Sequence, residues 1–270
     1  MPETSKEFSI QRFRHGHIES ARDRVAVEEA LEIRLGGEPF QVLMRLPGWE
    51  KELALGFLST EGIVRDLSEV ITIHFCGSAT DPMLPPNVVD VILTETALAR
   101  RGRRHLEVSY SSCGLCAKEA VNEISQSIPP VTSALTITPP QIFALMDRLH
   151  ELQTVFKVTG GTHAVALASP DGQVFIHAED LGRHNALDKV IGRAIFLQQD
   201  LAGLVALLSG RISFEMALKC LRAGLPLLAA VSAPTSMALE LAQKLGLTTV
   251  GFVRDQRFNI YTAPQRVIGS

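Results

Sequence analysis

Two observations predict an α/β fold with a smaller, β-rich α+β domain at the N-terminal end. From residue 173 onward, strand-like and helix-like runs alternate through seven segments that begin and end on a strand. That order builds a largely parallel sheet covered on both faces. In the N-terminal half the apolar residues instead alternate at period two, which marks half-buried strands. Pro129-Pro130 and Pro139-Pro140 bracket a stretch with little periodicity, so the expected boundary falls at 138/139. The expected organisation is a flexible tail over 1–24, a β-rich domain over 25–138 and an α/β domain over 139–270.

The elements follow in order. Residues 1–24 lack apolar periodicity, which predicts the tail. Leu31, Ile33 and Leu35 alternate with charged residues, Gly36-Gly37 supplies a turn, and Phe40, Val42 and Met44 alternate on the return: a hairpin. Pro47-Gly48 breaks it, and Trp49, Leu53 and Phe57 predict a helix over 49–60. Strands are expected at 70–76 and 88–94, with a Pro-, Ser- and Asp-rich loop between. The run Arg100, Arg101, Arg103, Arg104, His105 reads first as a solvated turn and second as a contact for an anion. Ile142, Leu145, Met146, Leu149 and Leu152 predict a helix that opens near Pro140. Further strands are expected at 155–159, 164–168, 173–178, 204–208, 227–231 and 249–253. Helices are expected at 185–197, 214–223 and 236–245.

The bulk properties exclude several classes. Apolar residues make up 46% and charged residues 20% of the 270 residues, as in ordinary globular chains. A net charge of -3 argues against a nucleic-acid binder. No apolar run approaches the roughly 18 residues needed to span a bilayer, and residues 1–24 have no apolar core of a secretory signal. Four cysteines do not make a disulfide scaffold. The expectation is a cytoplasmic protein with reduced thiols.

In a sheet of this kind ligands collect beyond the carboxyl ends of the strands. The residues expected there are Thr159-Gly160-Gly161-Thr162-His163, Ser209-Gly210-Arg211, Ser232 to Ser236 and Arg254-Asp255-Gln256-Arg257. Small and hydroxylated residues of this kind cap helices and make turns in most α/β proteins. Their convergence with arginines, which bind phosphate or carboxylate through paired hydrogen bonds, also fits a phosphorylated ligand. A second polar cluster, Glu179 to Asn185, places Arg183 and His184 toward the same region, with Asp180 or Asn185 as helix caps. His177-Ala178-Glu179 matches the first half of a zinc deaminase signature, but no Cys-x-x-Cys follows it, which argues against deamination.

Cys113-Gly114-Leu115-Cys116 admits three jobs: half of a zinc site, dithiol–disulfide cycling, or carriage of a sulfur atom. Zinc needs four ligands, and although Cys76, Cys220 and the histidines are available, there is no second paired motif, so no metal is expected. Thioredoxin-like motifs follow the first strand of a βαβ unit, and this pair does not. Nucleophilic work requires ionisation, which a helix N-terminus and nearby cations favour; Lys118 and the arginines before the pair are close in sequence.

Several segments together resemble the formate dehydrogenase accessory family, FdhD. They are Ser112 to Cys116, Thr159 to His163, Glu179 to Lys189, Ser209-Gly210-Arg211, Phe252-Val253-Arg254 and Phe258 to Tyr261, in order along nearly the whole chain. The resemblance implies a sulfurtransferase that accepts persulfide sulfur from a cysteine desulfurase. It passes that sulfur to the molybdenum cofactor, bis-molybdopterin guanine dinucleotide, required by formate dehydrogenase. Cys113 would carry the persulfide, with Cys116 as its partner thiol. Phe252, Val253, Arg254, Asp255, Gln256 and Arg257 would bind the guanine dinucleotide, and Ser209, Arg211 and His184 would line the same edge. The resemblance further implies a cytidine-deaminase-like α/β/α sandwich without zinc as the C-terminal domain, and a homodimer. An alternative is a chaperone that delivers the cofactor without sulfur chemistry.

Overall fold

The computed structural model describes residues 2–76, 87–101 and 124–269. The loop at 77–86 and the Cys113–Cys116 pair lie outside the described residues, as do Arg103, Arg104 and His105 of the basic run. The fold is α/β, built on two principal sheets and a separate hairpin.

The smaller sheet has the order β4-β3-β6-β5. Its strands are β3 (Glu29–Leu35), β4 (Glu38–Arg45), β5 (Val70–Phe75) and β6 (Val88–Leu93). The β3–β4 turn uses Gly36 and Gly37 with φ of 61° and 86°, as the sequence predicts. Leu31, Ile33 and Leu35 of β3 and Val89 and Val91 of β6 bury one face against α1 (Glu50–Thr60). A short helix, α2 (Glu95–Leu98), follows β6. Arg100 bonds to the Glu69 carboxylate and the Ile63 carbonyl, and Arg101 reaches the Pro39 carbonyl. The first two members of the basic run therefore serve the fold.

The larger sheet has the order β12-β11-β10-β9-β7-β8. It comprises β7 (His163–Ala168), β8 (Phe175–Asp180), β9 (Val205–Leu208), β10 (Leu227–Ala230), β11 (Thr248–Arg254) and β12 (Arg257–Thr262). Alternate residues of its central strands enter two separate cores. Val165, Leu167, Ala206, Leu208, Leu228 and Ala230 face α5 (Arg183–Phe196), α6 (Phe214–Arg222) and α7 (Ser236–Leu245). Ala164, Ala166, Val205, Leu207, Leu227 and Ala229 face α3 (Pro139–Leu152). Both faces are covered, which gives a helix–sheet–helix sandwich.

Four expectations need correction. The sheet is mixed: β9–β10 and β10–β11 pair in parallel, while β7–β8, β7–β9 and β11–β12 are antiparallel. Tight turns impose this, since Ser169 to Gly172 and Asp255-Gln256 each reverse the chain within a few residues. Residues 155–159, expected as a strand, lie in α4 (Thr154–Thr159). The reason is tertiary: the Glu179 carboxylate accepts the Val155 and Phe156 N–H groups at 2.8 Å each and so caps the helix. A paired hairpin, β1 (Ser5–Arg14) and β2 (His17–Ala26), stands where a tail was expected. Most of its residues are exposed, Phe8, Phe13, Ile18 and Val25 among them, and charged residues such as Arg22 and Glu7, 2.9 Å apart, are interspersed, so it has no sustained apolar alternation to read. The boundary at 138/139 is also too late, because Ile124, Ile128 and Ile137 already pack in the larger unit's cores.

The two units meet where α1 crosses α5. A Cβ at Gly56 would sit 1.8 Å from the Asp188 carbonyl, and one at Gly192 would sit 1.9 Å from the Glu52 carbonyl. Only glycine permits that approach. Gly56→Ala or Gly192→Ala should therefore destabilise the protein by about 3 kcal/mol, read as a lowered urea midpoint. An unchanged midpoint would show that the helices part at no cost.

Candidate functional site

One edge of the larger sheet gathers the polar residues singled out in the sequence. Because β7 runs antiparallel to β9 and β8, the start of β7 lies beside the ends of β8 and β9. His163, Leu181 to His184, and Ser209 to Arg211 are thereby brought together. The end of β10, at Val231-Ser232, adjoins them, and the β11–β12 turn follows on its far side. A cavity of about 500 Å³ opens here, with Phe156, Gly161, His163, Leu181, Ser209 and Val231 among its lining residues.

Local contacts account for each position. Ser209 extends the β7–β9 pairing: its Oγ accepts the Ala164 N–H at 2.9 Å, and its own N–H reaches the Ala164 carbonyl. Gly210 packs close to His163, where a Cβ would lie 3.3 Å from Nδ1. Arg211 is exposed just beyond the end of β9. Asp180 does not cap α5. It pairs with Lys189 at 2.7 Å and accepts from Asn185 at 3.1 Å, while the N-cap position is Gly182, with no side-chain cap. Glu179 is committed to α4 and to Thr162, whose Oγ1 donates to it at 2.8 Å. Its role is architectural, in keeping with the incomplete deaminase signature.

The electrostatics are those of neutral imidazoles beside arginine. Burial, then the Arg183 charge, lowers the His163 pKa. Burial pushes His184 down to about 4, with the Arg183 and Lys219 charges acting in the same direction. The Nε2 of His184 and the Nε of Arg183 are buried without a hydrogen-bond partner. Arg183 lies toward this edge with His184, as the sequence predicts, whereas His163 belongs to a stretch in which the sequence gives it no role of its own. What marks His163 is its place at the start of β7, beside the ends of β8 and β9, which spacing along the chain does not reveal.

The β11–β12 turn has its own geometry. Phe252, Asp255 and Gln256 all adopt positive φ, at 57°, 51° and 56°. The Phe252 N–H bonds to the Ser232 carbonyl at 3.3 Å, which ties the turn to the end of β10. Arg254 lies over the Phe252 ring at 5.9 Å, and Arg254, Asp255, Gln256 and Arg257 are exposed. Val253 is 3% exposed and packs into the core, so it offers a ligand only its backbone. Three strand spacings separate β11 from β7, about 14 Å. The structure thus aligns His184, Ser209, Arg211 and the turn along one edge rather than closing them round a single point.

The His184 shift has a pH consequence. Its folded pKa of about 4 lies below the ordinary 6.5, so the unfolded chain binds the proton first. The stability associated with neutral His184 is present above pH 6.5 and is lost as pH falls from about 6.5 toward 4. Denaturation midpoints across that window should fall less steeply for His184→Gln than for the parent chain; identical slopes would refute the assignment.

The comparisons agree with this architecture. The FdhD/NarQ family profile matches residues 26–268. The sulfur carrier protein FdhD of Mycolicibacterium paratuberculosis is 45% identical over 255 residues, covering 91% of this chain and 92% of the relative. That of Streptomyces avermitilis is 41% identical over 269 residues, covering 96% and 94%. A crystal structure described as a putative formate dehydrogenase accessory protein from Desulfotalea psychrophila superposes with a TM-score of 0.79 at 23% identity, over 98% of this chain and 100% of that one. The family match spans both sheets and the site edge, and the chain belongs to the FdhD/NarQ family.

Proposed function

We propose that this protein carries sulfur for a formate dehydrogenase: it takes persulfide sulfur from a cysteine desulfurase and transfers it to bis-molybdopterin guanine dinucleotide, which is bound as substrate. One observation carries the ligand half of this reading. Arginines and the N-terminus of α5, which has no side-chain cap, line a sheet edge that extends about 14 Å from β7 to β11, which suits an elongated, anionic dinucleotide better than a compact metabolite. Arg254 and Arg257 supply charge, and the Phe252 ring is available for stacking on a purine. The relatives named as sulfur carriers support the sulfur half.

In the donor step the Cys113 thiolate attacks the outer sulfur of the donor persulfide. A new S–S bond forms on Cys113, the donor S–S bond breaks, and the desulfurase leaves as its thiolate. Cys116 is the partner thiol. The reading includes a homodimer acting in the cytoplasm, with no nucleic-acid or membrane partner. Among the described residues no helix is long and apolar enough to cross a membrane.

Incubation with a desulfurase and cysteine should add one reducible sulfur to the chain, seen by intact mass, and Cys113→Ala should abolish it. The same adduct on Cys113→Ala would remove that residue from the role. A chaperone that only holds the cofactor needs the arginines and not the thiols, so full formate dehydrogenase activity in cells carrying Cys113→Ala would favour it. Arg254→Ala should weaken binding of guanosine diphosphate at least tenfold, as expected for loss of a charge-assisted contact. Calorimetry showing equal affinity would move the dinucleotide away from the β11–β12 turn.

A further inference from the structure

The outer face of the smaller sheet holds a group that the proposed sulfur chemistry does not use. His74 and Cys76 are two residues apart on β5 and its extension, so their side chains point to the same face. Asp90 on β6 is the cross-strand partner of His74. The Cys76 N–H bonds to the Val88 carbonyl at 2.9 Å and holds the thiol in the ladder beyond the end of β5. The Asp90 Oδ1 accepts the Gly37 N–H at 3.0 Å, which leaves Oδ2 facing His74.

The distances converge on one ring nitrogen. Cys76 Sγ lies 3.9 Å from His74 Nε2, and Asp90 Oδ2 lies 4.0 Å from that same atom. A Cys–His–Asp proton relay uses the two different nitrogens of the ring, one toward the thiol and one toward the carboxylate. Here both partners face Nε2, so the geometry is not that of a relay. Sulfur, nitrogen and oxygen instead surround a common point, with the three ligand atoms within 4.8 Å of one another. In tetrahedral zinc the bond lengths of about 2.0–2.3 Å put ligand atoms about 3.5 Å apart, so closing on an ion takes only a small side-chain adjustment.

We propose that His74, Cys76 and Asp90 form a binding site for a divalent first-row transition ion, zinc foremost, with a fourth position open to solvent or to an exogenous ligand. The donor set of one thiolate, one imidazole and one carboxylate selects borderline-soft ions over magnesium or calcium. Asp90 is held on a buried strand, whereas the His74 side chain is 48% exposed and gives the ion a route in. Arg34, whose charge reaches Cys76 and Asp90, is tied to Glu32 at 2.7 Å. Binding deprotonates Cys76 and releases that proton to solvent. The site lies on the smaller sheet, apart from the sheet edge of the larger one, and does not depend on the sulfur-carrier reading.

The test uses the full chain carrying Cys113→Ser and Cys116→Ser, in which the remaining thiols are Cys76 and the fully buried Cys220. After chelator treatment it should bind one Co²⁺ per chain with thiolate-to-cobalt charge-transfer absorption, displaced by one Zn²⁺. His74→Ala and Cys76→Ser should each weaken binding at least tenfold. Absent charge-transfer absorption, or unchanged affinity in the Cys76→Ser chain, overturns the site. Should either variant fail to fold by circular dichroism, alkylation of Cys76 in the parent double variant decides. Zn²⁺ should slow it at least tenfold and Mg²⁺ should not; an equal rate with and without Zn²⁺ overturns the site.

Discussion

The close crossing of α1 and α5 is the contact on which the rest of the structure depends. Gly56 and Gly192 bring the two backbones together, and polar groups then bind the seam around them. Lys219 Nζ lies 2.8 Å from both Asp188 Oδ2 and Thr60 Oγ1, and Arg222 donates to the Thr60 carbonyl at 2.7 Å. Lys189 reaches the Leu46 carbonyl at 2.8 Å while paired to Asp180. Burial raises the Asp188 carboxyl, with the Lys219 charge opposing it, and burial lowers the Lys189 ammonium, with Asp180 opposing it. Such pairs add little net stability over apolar packing, but losing one partner leaves a buried charge. They make this docking geometry hard to replace by another.

The same helix serves the site. The first turn of α5 presents Arg183 and His184 at the sheet edge, and its middle turns carry Asp188 and Gly192 into the seam. Asn185 does both, bonding to Asp180 at the edge and to the Met44 carbonyl across the units. The smaller unit is therefore set relative to that sheet edge by a single rigid element. This matters for the proposed sulfur transfer, in which Cys113 follows the smaller sheet in the chain and the proposed acceptor site lies on the larger one.

Much of this was legible from residue order. The β3–β4 hairpin, α1, α3 and the three helices of the C-terminal half follow from apolar period and from the glycines and prolines that interrupt it. The edge residues after β9, β10 and β11 were legible too, because Gly, Ser, Thr and Arg after short apolar runs mark strand ends in α/β sheets, whereas Thr159 to His163 follows a helix and leads into β7. The β1–β2 hairpin was not, since with no buried face it leaves no sustained alternation. Nor was α4, where the β-branched residues Val155 and Val158 favour a strand until Glu179 caps the helix from another element.

By itself the sequence determined which residues form strands and helices in most of the chain, and which polar residues end up at strand ends, because both follow from local period and turn chemistry. Only the tertiary structure decided the strand directions of the mixed sheet and the place of His163 at the start of a strand rather than beyond the end of one. It also decided the docking of α1 on α5 and the meeting of His74, Cys76 and Asp90. Each of these depends on groups far apart in the chain, and no local pattern encodes the distance between them.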